Sequence, residues 1–231
     1  MKVVVTAGPT REHLDPVRFL SNPSTGRMGF AVAAEAARRG HEVVLVAGPA
    51  ALPTPKGVCR VDVVSARDMM RETSRAAKGA DALVATAAVA DWRPAVCARR
   101  KLKKDDMKPI LRLVRNPDVL KSVKCPLKVG FAAETDNIVD EAKRKCREKG
   151  LAFIVANDVT EPGAGFGVET NKVAFVFPDG RVESLPLMSK RMVARRIVAA
   201  LSLLHLEGNM VHCVAPKPGT RSIRALFNCD F

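Results

Sequence analysis

Asp81-Ala-Leu-Val-Ala-Thr-Ala-Ala-Val-Ala-Asp91 is the stretch that decides the fold. Small and β-branched apolar residues run without alternation and stop at an acid, the pattern of a parallel strand covered on both faces. In open α/β sheets ligands bind beyond the carboxyl ends of such strands. Shortly after that end, Lys101-Leu-Lys-Lys104 gathers three lysines around Leu102. Clustered cations there suit an anionic ligand, above all a phosphorylated one.

Working outward, residues 3–6 read as a first strand, followed by a Gly/Pro/Ser-punctuated loop to Thr25. Met28, Ala31, Val32, Glu35 and Ala36 recur at helical spacing over 26–39, and Gly40 stops that helix. Further strands are predicted at 42–47, 59–64, 82–86, 110–114, 128–133 and 152–156. Helices are predicted at 65–78, with Ser65 and Asp68 at its start, after Asn116-Pro117-Asp118 with Asn116 as cap, at 137–149 and at 188–206. Residues 172–177 and 181–185 form a hairpin around Asp179-Gly180. Alternating strands and helices imply a Rossmann-like doubly wound, mostly parallel sheet, with a small β-hairpin region beside it. One domain is expected over residues 1–207. Residues 208–231 lose the periodic pattern and read as a loosely attached tail.

Composition narrows the function. The 231 residues suffice for one large α/β domain and are short for two. No stretch reaches the roughly 20 apolar residues of a membrane span, and the N-terminus reads as a strand, not a signal peptide. The six cysteines show no paired spacing, so reduced thiols, a cytoplasmic location and no metal-ligating residues are expected. The net charge of +14 attracts nucleic acid, anionic lipid or phosphorylated small molecules alike. With aromatics at 4% and no tyrosine, base-stacking platforms are disfavoured. Missing tyrosine also removes the Tyr-x-x-x-Lys pair of short-chain reductases, and no Gly-x-Ser-x-Gly elbow occurs. None of the four histidines has a partner at metal or catalytic spacing. Charge stabilisation and positioning remain as the chemistry.

Three groups of residues carry that chemistry. Ser21-Asn-Pro-Ser-Thr-Gly-Arg-Met-Gly29 opens a helix, where unpaired N–H groups and the positive dipole end accept phosphate. Ser24, Thr25, Gly26 and Arg27 are the phosphate-binding candidates, Arg18 adds charge, and Asn22 suits an amide or carbonyl. The plain alternative is an N-cap by Ser24 or Thr25, with Gly26 there for packing. The stretch is neither a P-loop nor Gly-x-Gly-x-x-Gly. Asp91 suits a nucleotide's base or sugar, or a hydrated Mg²⁺, or merely caps a turn; Lys101 suits an α-phosphate, or is a solvated loop lysine. Lys145 and Lys149 share one helix face, to grip a triphosphate or to form part of a charged exterior.

Taken in order, Thr6-Ala-Gly-Pro-Thr-Arg-Glu12, Asp15-Pro-Val-Arg-Phe-Leu-Ser-Asn22, Ser24-Thr-Gly-Arg-Met-Gly29, Ala87-Ala-Val-Ala-Asp91, Lys101-Leu-Lys-Lys104, Asn116-Pro-Asp118, Gly130-Phe-Ala-Ala-Glu-Thr135 and Ala156-Asn-Asp-Val159 resemble bacterial phosphopantothenoylcysteine synthetase. That enzyme is often the C-terminal half of a bifunctional coenzyme A biosynthesis flavoprotein. The resemblance implies a ligase that activates 4′-phosphopantothenate with CTP and Mg²⁺ as an acyl-cytidylate, releases pyrophosphate, and lets cysteine displace CMP. Some relatives use ATP; the motifs here point to CTP.

The same resemblance assigns roles. Asn22 would hold the acyl-cytidylate, Arg18 would help the second half-reaction, and Lys101 would assist the first. Ala85, Thr86, Ala87 and Asp91 would line the cytidine pocket, completed by Pro117, Asp118, Val119, Leu120 and Phe131. Lys145 and Lys149 would meet the phosphates, against the plain charged-exterior alternative. Ser24-Thr25-Gly26-Arg27 stands where the family more often has Ser-Ser-Gly-Lys; hydroxyl and charge survive. The flavin-binding decarboxylase half has no counterpart, so no FMN is expected in this chain. Small-molecule substrates, no nucleic acid, no membrane and a homodimer are expected, with residues 95–114 and 160–185 as contact segments.

Overall fold

The computed structural model describes residues 1–103, 110–134, 138–158, 163–165 and 167–213. Lys104 of the lysine cluster, part of the expected contact segment at 160–185, and the end of the chain from residue 214 lie outside the described residues.

The elements in chain order are β1 (Lys2–Ala7), β2 (Arg11–His13), β3 (Phe19–Ser21), α1 (Arg27–Arg38), β4 (Glu42–Ala47), β5 (Val58–Asp62), α2 (Ala66–Ala76), β6 (Ala82–Ala85), β7 (Trp92–Pro94), β8 (Leu113–Arg115), α3 (Val119–Ser122), β9 (Leu127–Glu134), α4 (Ile138–Glu148), β10 (Phe153–Asp158), β11 (Thr170–Asn171), β12 (Val173–Val176), β13 (Val182–Ser184), β14 (Met188–Ser189) and α5 (Lys190–Cys213). Eight strands make the main sheet in the order β13-β12-β10-β9-β6-β1-β4-β5. The run from β5 to β10 is parallel; β12 and β13 join antiparallel at one edge. The chain first grows from β1 towards β5 and then reverses through β6 towards β10. The gap between the carboxyl ends of β1 and β6 is therefore the topological switch point.

Burial explains the continuous apolar strands. Val3 and Val5 pack with Phe30, Val32 and Ala36 of α1 and Ile197 and Leu201 of α5 on one face. Val4 and Leu83 point the other way, against Met69 of α2 and Val119 of α3. Further along that face, Ala142 and Cys146 of α4 meet Leu151 and Ile154. Both faces are thus closed, as all-parallel strands require.

The predicted doubly wound sheet is present, with local differences. Ser65 opens α2 as expected, and with Asp68, expected only as a first-turn acid, it forms a reciprocal capping box; the Ala66 N–H also reaches Glu12 at 2.8 Å. The cap of α3 is Asp118, which accepts from Lys121 N–H at 3.0 Å, not Asn116. Asn116 is used elsewhere: its Nδ2 donates to the Ala90 carbonyl at 2.8 Å. The loop predicted up to Thr25 contains the β2–β3 ribbon, and the strand expected at 110–114 is the short β8, paired with β7 outside the main sheet. The last helix starts at Lys190 and runs through Cys213, so residues 208–213, read as tail, continue it. Among the described residues no helix is long and apolar enough to cross a membrane.

Candidate active site

Thr6 and Thr10 organise the switch point. Thr86 Oγ1 and N–H both donate to the Thr6 carbonyl, at 2.6 and 3.2 Å, and Ala87 N–H donates to Thr6 Oγ1 at 3.3 Å. Thr10 Oγ1 accepts from Ala90 N–H at 3.0 Å. Both threonines are buried, so these bonds are shielded from water and hold the 86–90 backbone in one course. Asn22 Nδ2 donates to the Ala88 carbonyl at 3.1 Å, which ties the β3 exit to the same segment.

Helix α1 enters beside this segment. Its first residue follows Gly26, whose φ of +79° lies in the left-handed region and whose side-chain-free backbone approaches Gly8. No side chain caps the helix: Ser24 Oγ only accepts the Gly26 N–H at 3.4 Å. The alternative reading of Ser24 or Thr25 as an N-cap is therefore not realised, and among the described residues the first-turn N–H groups have no side-chain acceptor. Gly29 sits where α1 crosses β1 and β6. A Cβ there would lie 2.4 Å from Thr86 Oγ1 and 2.5 Å from the Ala7 Cβ, so only glycine permits the crossing.

Two adjoining cavities result. The larger, about 430 Å³, is walled by Asn22, Ser24, Thr25, Gly26, Arg27, Thr86, Lys145 and, from the far side, Asn157, Asn171 and Lys190. The smaller, about 260 Å³, is walled by Ala85, Asn116, Pro117, Asp118, Val119, Leu120 and Lys149. Ala87, Val89, Asp91 and Phe131 belong to both walls, so the two cavities adjoin along these residues. One compartment takes the predicted phosphate-binding group with Asn22. The other takes all of the predicted nucleoside contacts except Thr86, which lines the first.

Electrostatics differ across the compartments. Lys149 Nζ meets Asp118 Oδ2 at 2.7 Å. Burial pushes the Asp118 carboxyl up, but the Lys149 ammonium and the Lys121 N–H outweigh it and hold it below the ordinary value. Arg27 pairs with the exposed Glu169. Lys190 is 6% exposed and donates from Nζ to the Gly165 and Val168 carbonyls at 3.0 and 2.7 Å. Burial, then the nearby Arg27 charge, lower its pKa.

Arg18 and Lys101 line neither cavity. Arg18 forks onto the fully buried Asp15, with Nε at 3.1 and Nη2 at 2.6 Å from Oδ2. The pair also grips the backbone of Leu102: Asp15 Oδ2 accepts its N–H at 3.2 Å and Arg18 Nη2 donates to its carbonyl at 3.0 Å. The Arg18 guanidinium and three backbone N–H groups drive the Asp15 carboxyl far below the usual carboxylate range, against its burial. Lys101 is exposed, one residue from this clamp.

Sequence reasoning missed Asn157, Asn171 and Lys190. Asn157 follows the apolar run of β10, as Asp91 follows that of β6, which marks a strand end at the ligand side. Lys190 carried a different signal: a cation in the first turn of a helix opposes the dipole and asks for a reason.

The sequence profile of a family described as "DNA/pantothenate metabolism flavoprotein C-terminal domain" matches residues 1–204. Coenzyme A biosynthesis bifunctional protein CoaBC of Bacillus subtilis is 45% identical over 207 residues, covering 87% of this chain and 51% of that protein. Its namesake in Escherichia coli is 41% identical over 219 residues, covering 90% and 53%. The chain thus spans about half the length of the curated relatives it matches. A crystal structure of the C-terminal domain of a CoaBC protein superposes with a TM-score of 0.76 at 39% identity, covering 89% of this chain and 96% of that one. A Cab2 variant in complex with phosphopantothenate-cysteine shares the fold, with a TM-score of 0.76 at 15% identity over 92% of this chain and 89% of that one.

Proposed function

We propose that this chain, which belongs to the DNA/pantothenate metabolism flavoprotein C-terminal domain family, is a ligase of coenzyme A biosynthesis that joins 4′-phosphopantothenate to L-cysteine with CTP as activating nucleotide. One observation carries the reading: a phosphate-accepting compartment and a nucleoside-sized compartment share a wall of Ala87, Val89, Asp91 and Phe131. An acid and a nucleotide seated in them meet at that wall. The names of the half-length relatives agree with it.

The chemistry is two displacements. A carboxylate oxygen of phosphopantothenate attacks the α-phosphorus of CTP; the P–O bond to the β-phosphate breaks and pyrophosphate leaves. The cysteine amine then attacks the acyl carbon of the acyl-cytidylate, CMP leaves with the C–O electrons, and the amine proton passes to solvent. No side chain becomes covalently attached, so acceleration comes from orientation and from charge on the phosphates. Asn22, fixed by Ala88, orients the acyl group. Lys101 and Arg18 line neither cavity in this structure; the family resemblance gives Lys101 the α-phosphate and Arg18 the second step, and the Asp15–Arg18 grip on Leu102 ties the Lys101 loop to the β2–β3 ribbon.

Backbone groups of Ala85, Thr86 and Ala87 face the nucleoside, and Lys145 and Lys149 serve its phosphates. Mg²⁺ enters with CTP as part of the substrate. Asp91, exposed at the shared wall, is the carboxylate positioned to meet its hydration shell. The reading includes no flavin, and it includes a homodimer built on the β7–β8 arm.

Incubation with Mg²⁺, CTP and phosphopantothenate should release pyrophosphate, and CMP should appear when cysteine follows. A parallel series with ATP reads the nucleotide preference. Absence of turnover with every nucleoside triphosphate would overturn the reading.

A further inference from the structure

The cavity beside the α1 N-terminus holds a buried cation that, among the described residues, has no carboxylate partner. Lys190 is 6% exposed, and its two hydrogen-bond partners are carbonyls of Gly165 and Val168, not carboxylates. Among the described residues its neighbour of like kind, Arg27, takes the adjacent Glu169 instead. An ammonium out of water without an anion costs several kcal/mol. Its place in the first turn of α5, against the helix dipole, adds to that cost. Two carbonyls also leave one of the three ammonium N–H groups available.

Other groups of the same cavity are unsatisfied in a matching way. The α1 first-turn N–H groups have no side-chain acceptor. Asn157, 8% exposed, keeps its Oδ1 without a hydrogen-bond partner on the same wall. A ligand presenting anionic oxygens to Lys190 and α1, and an N–H or O–H to Asn157, would satisfy all of them.

We infer that Lys190 is a binding residue of this cavity, donating its third N–H to a phosphoryl oxygen that also faces the α1 N-terminus and Arg27. The assignment rests on the ligase reading only for the name of the phosphorylated compound. In that reading the phosphoryl group belongs to phosphopantothenate or to the nucleotide, and the two sources are separable.

The test is calorimetric titration of phosphopantothenate, unphosphorylated pantothenate and CTP into the wild-type protein, Lys190→Met and Lys190→Gln. Loss of one charge-assisted bond corresponds to a drop of about 10- to 100-fold in affinity. We expect that drop for phosphopantothenate with pantothenate unchanged; the same drop confined to CTP assigns the phosphoryl group to the nucleotide and equally supports the inference. An equal loss for pantothenate and phosphopantothenate, or no loss for any compound, overturns it. Should both variants fail to fold, a crystal structure of the wild type with phosphopantothenate and CTP decides. A phosphoryl oxygen within about 3 Å of Nζ supports the inference, and phosphoryl groups seated elsewhere overturn it. Absent ligase turnover with Lys190-dependent phosphoryl binding retained would remove the reaction and leave this site standing.

Discussion

Among the described residues the Asn22 side chain has one polar contact to the scaffold, the Nδ2 bond to Ala88, which leaves its oxygen for a ligand. Asn22→Asp replaces that donor by a carboxylate beside an anion-accepting cavity. Overall ligation should fall at least 100-fold with the melting temperature moved by only a few degrees; near-normal rates would remove the residue from the site. Lys101→Gln separates the half-reactions: pyrophosphate release should vanish, whereas the fold is untouched because the side chain is exposed. Quench-flow of the pyrophosphate burst reads this. Gly29→Ala is a structural control, since its Cβ would collide with Thr86 Oγ1 and Ala7. Overpacking of this kind costs about 1–3 kcal/mol, measurable by urea unfolding. At this scale the sequence was legible where residues came in local motifs, such as Ser24 to Gly29 or Pro117 to Leu120. It was silent on Lys190, because a buried lysine and a solvated one look alike until tertiary packing separates them.

Helix α1 carries the site at its start and an acid lock at its end. Glu35, 4% exposed, accepts two bonds from Arg38 at 2.8 Å each and one from Arg39 at 2.7 Å. The Arg38 bonds lead, burial opposes them, and Arg39 adds to the lowering, leaving the carboxyl at about 2. An acid depressed in the folded state stabilises fully above its unfolded value, and loses that contribution as pH falls through the folded one. Wild-type stability should therefore decline from about pH 4.5 towards pH 2, and Glu35→Gln should be less stable at pH 7 by about 2 kcal/mol with a flatter acid limb. Thermal unfolding across that range measures both. In α3, Asp118 combines a cap with the Lys149 pair. Asp118→Asn keeps a capping oxygen and should cost under about 1 kcal/mol, whereas Asp118→Ala should cost about 1–2 kcal/mol. Long elements with a clear period were legible, including the Ser65 helix start and the Gly40 stop. Ribbons β2–β3 and β7–β8 were not, since strands this short owe their pairing to distant partners: Arg11 N–H bonds to the Val64 carbonyl and Ala98 N–H to the Leu14 carbonyl.

The whole molecule places the candidate site at the sheet reversal, and the arm formed by the β7–β8 ribbon begins beside it, where Asn116 N–H bonds the Asp91 carbonyl. That arm, β7 and β8 with their flanks, exposes Val96 at 79% and Ile110 at 80%, and leaves Trp92, Leu111 and Leu113 partly uncovered. Ala95 N–H donates to the Arg112 carbonyl at 2.9 Å, so the flanks continue the ribbon and bring these apolar residues onto one small structure. A monomer rarely leaves so many large apolar side chains together in water. The overall charge of +14 excludes neither partner class by itself, but it opposes self-association through repulsion that salt relieves. In the proposed homodimer the arm, which overlaps one of the two contact segments implied by the family resemblance (95–114 and 160–185), is the contact, and its apolar core must outweigh that repulsion. The doubly wound sheet was legible because the central parallel strands β1, β4 and β6 are nearly continuous apolar runs. The arm's role was not, because exposure is a property of the assembled chain. Sedimentation at micromolar concentration should give a dimer that persists from low to moderate salt. Val96→Asp with Ile110→Asp should give a monomer of unchanged circular dichroism, because both positions are open to solvent. A monomeric wild type across that salt range would show instead that the arm serves another partner.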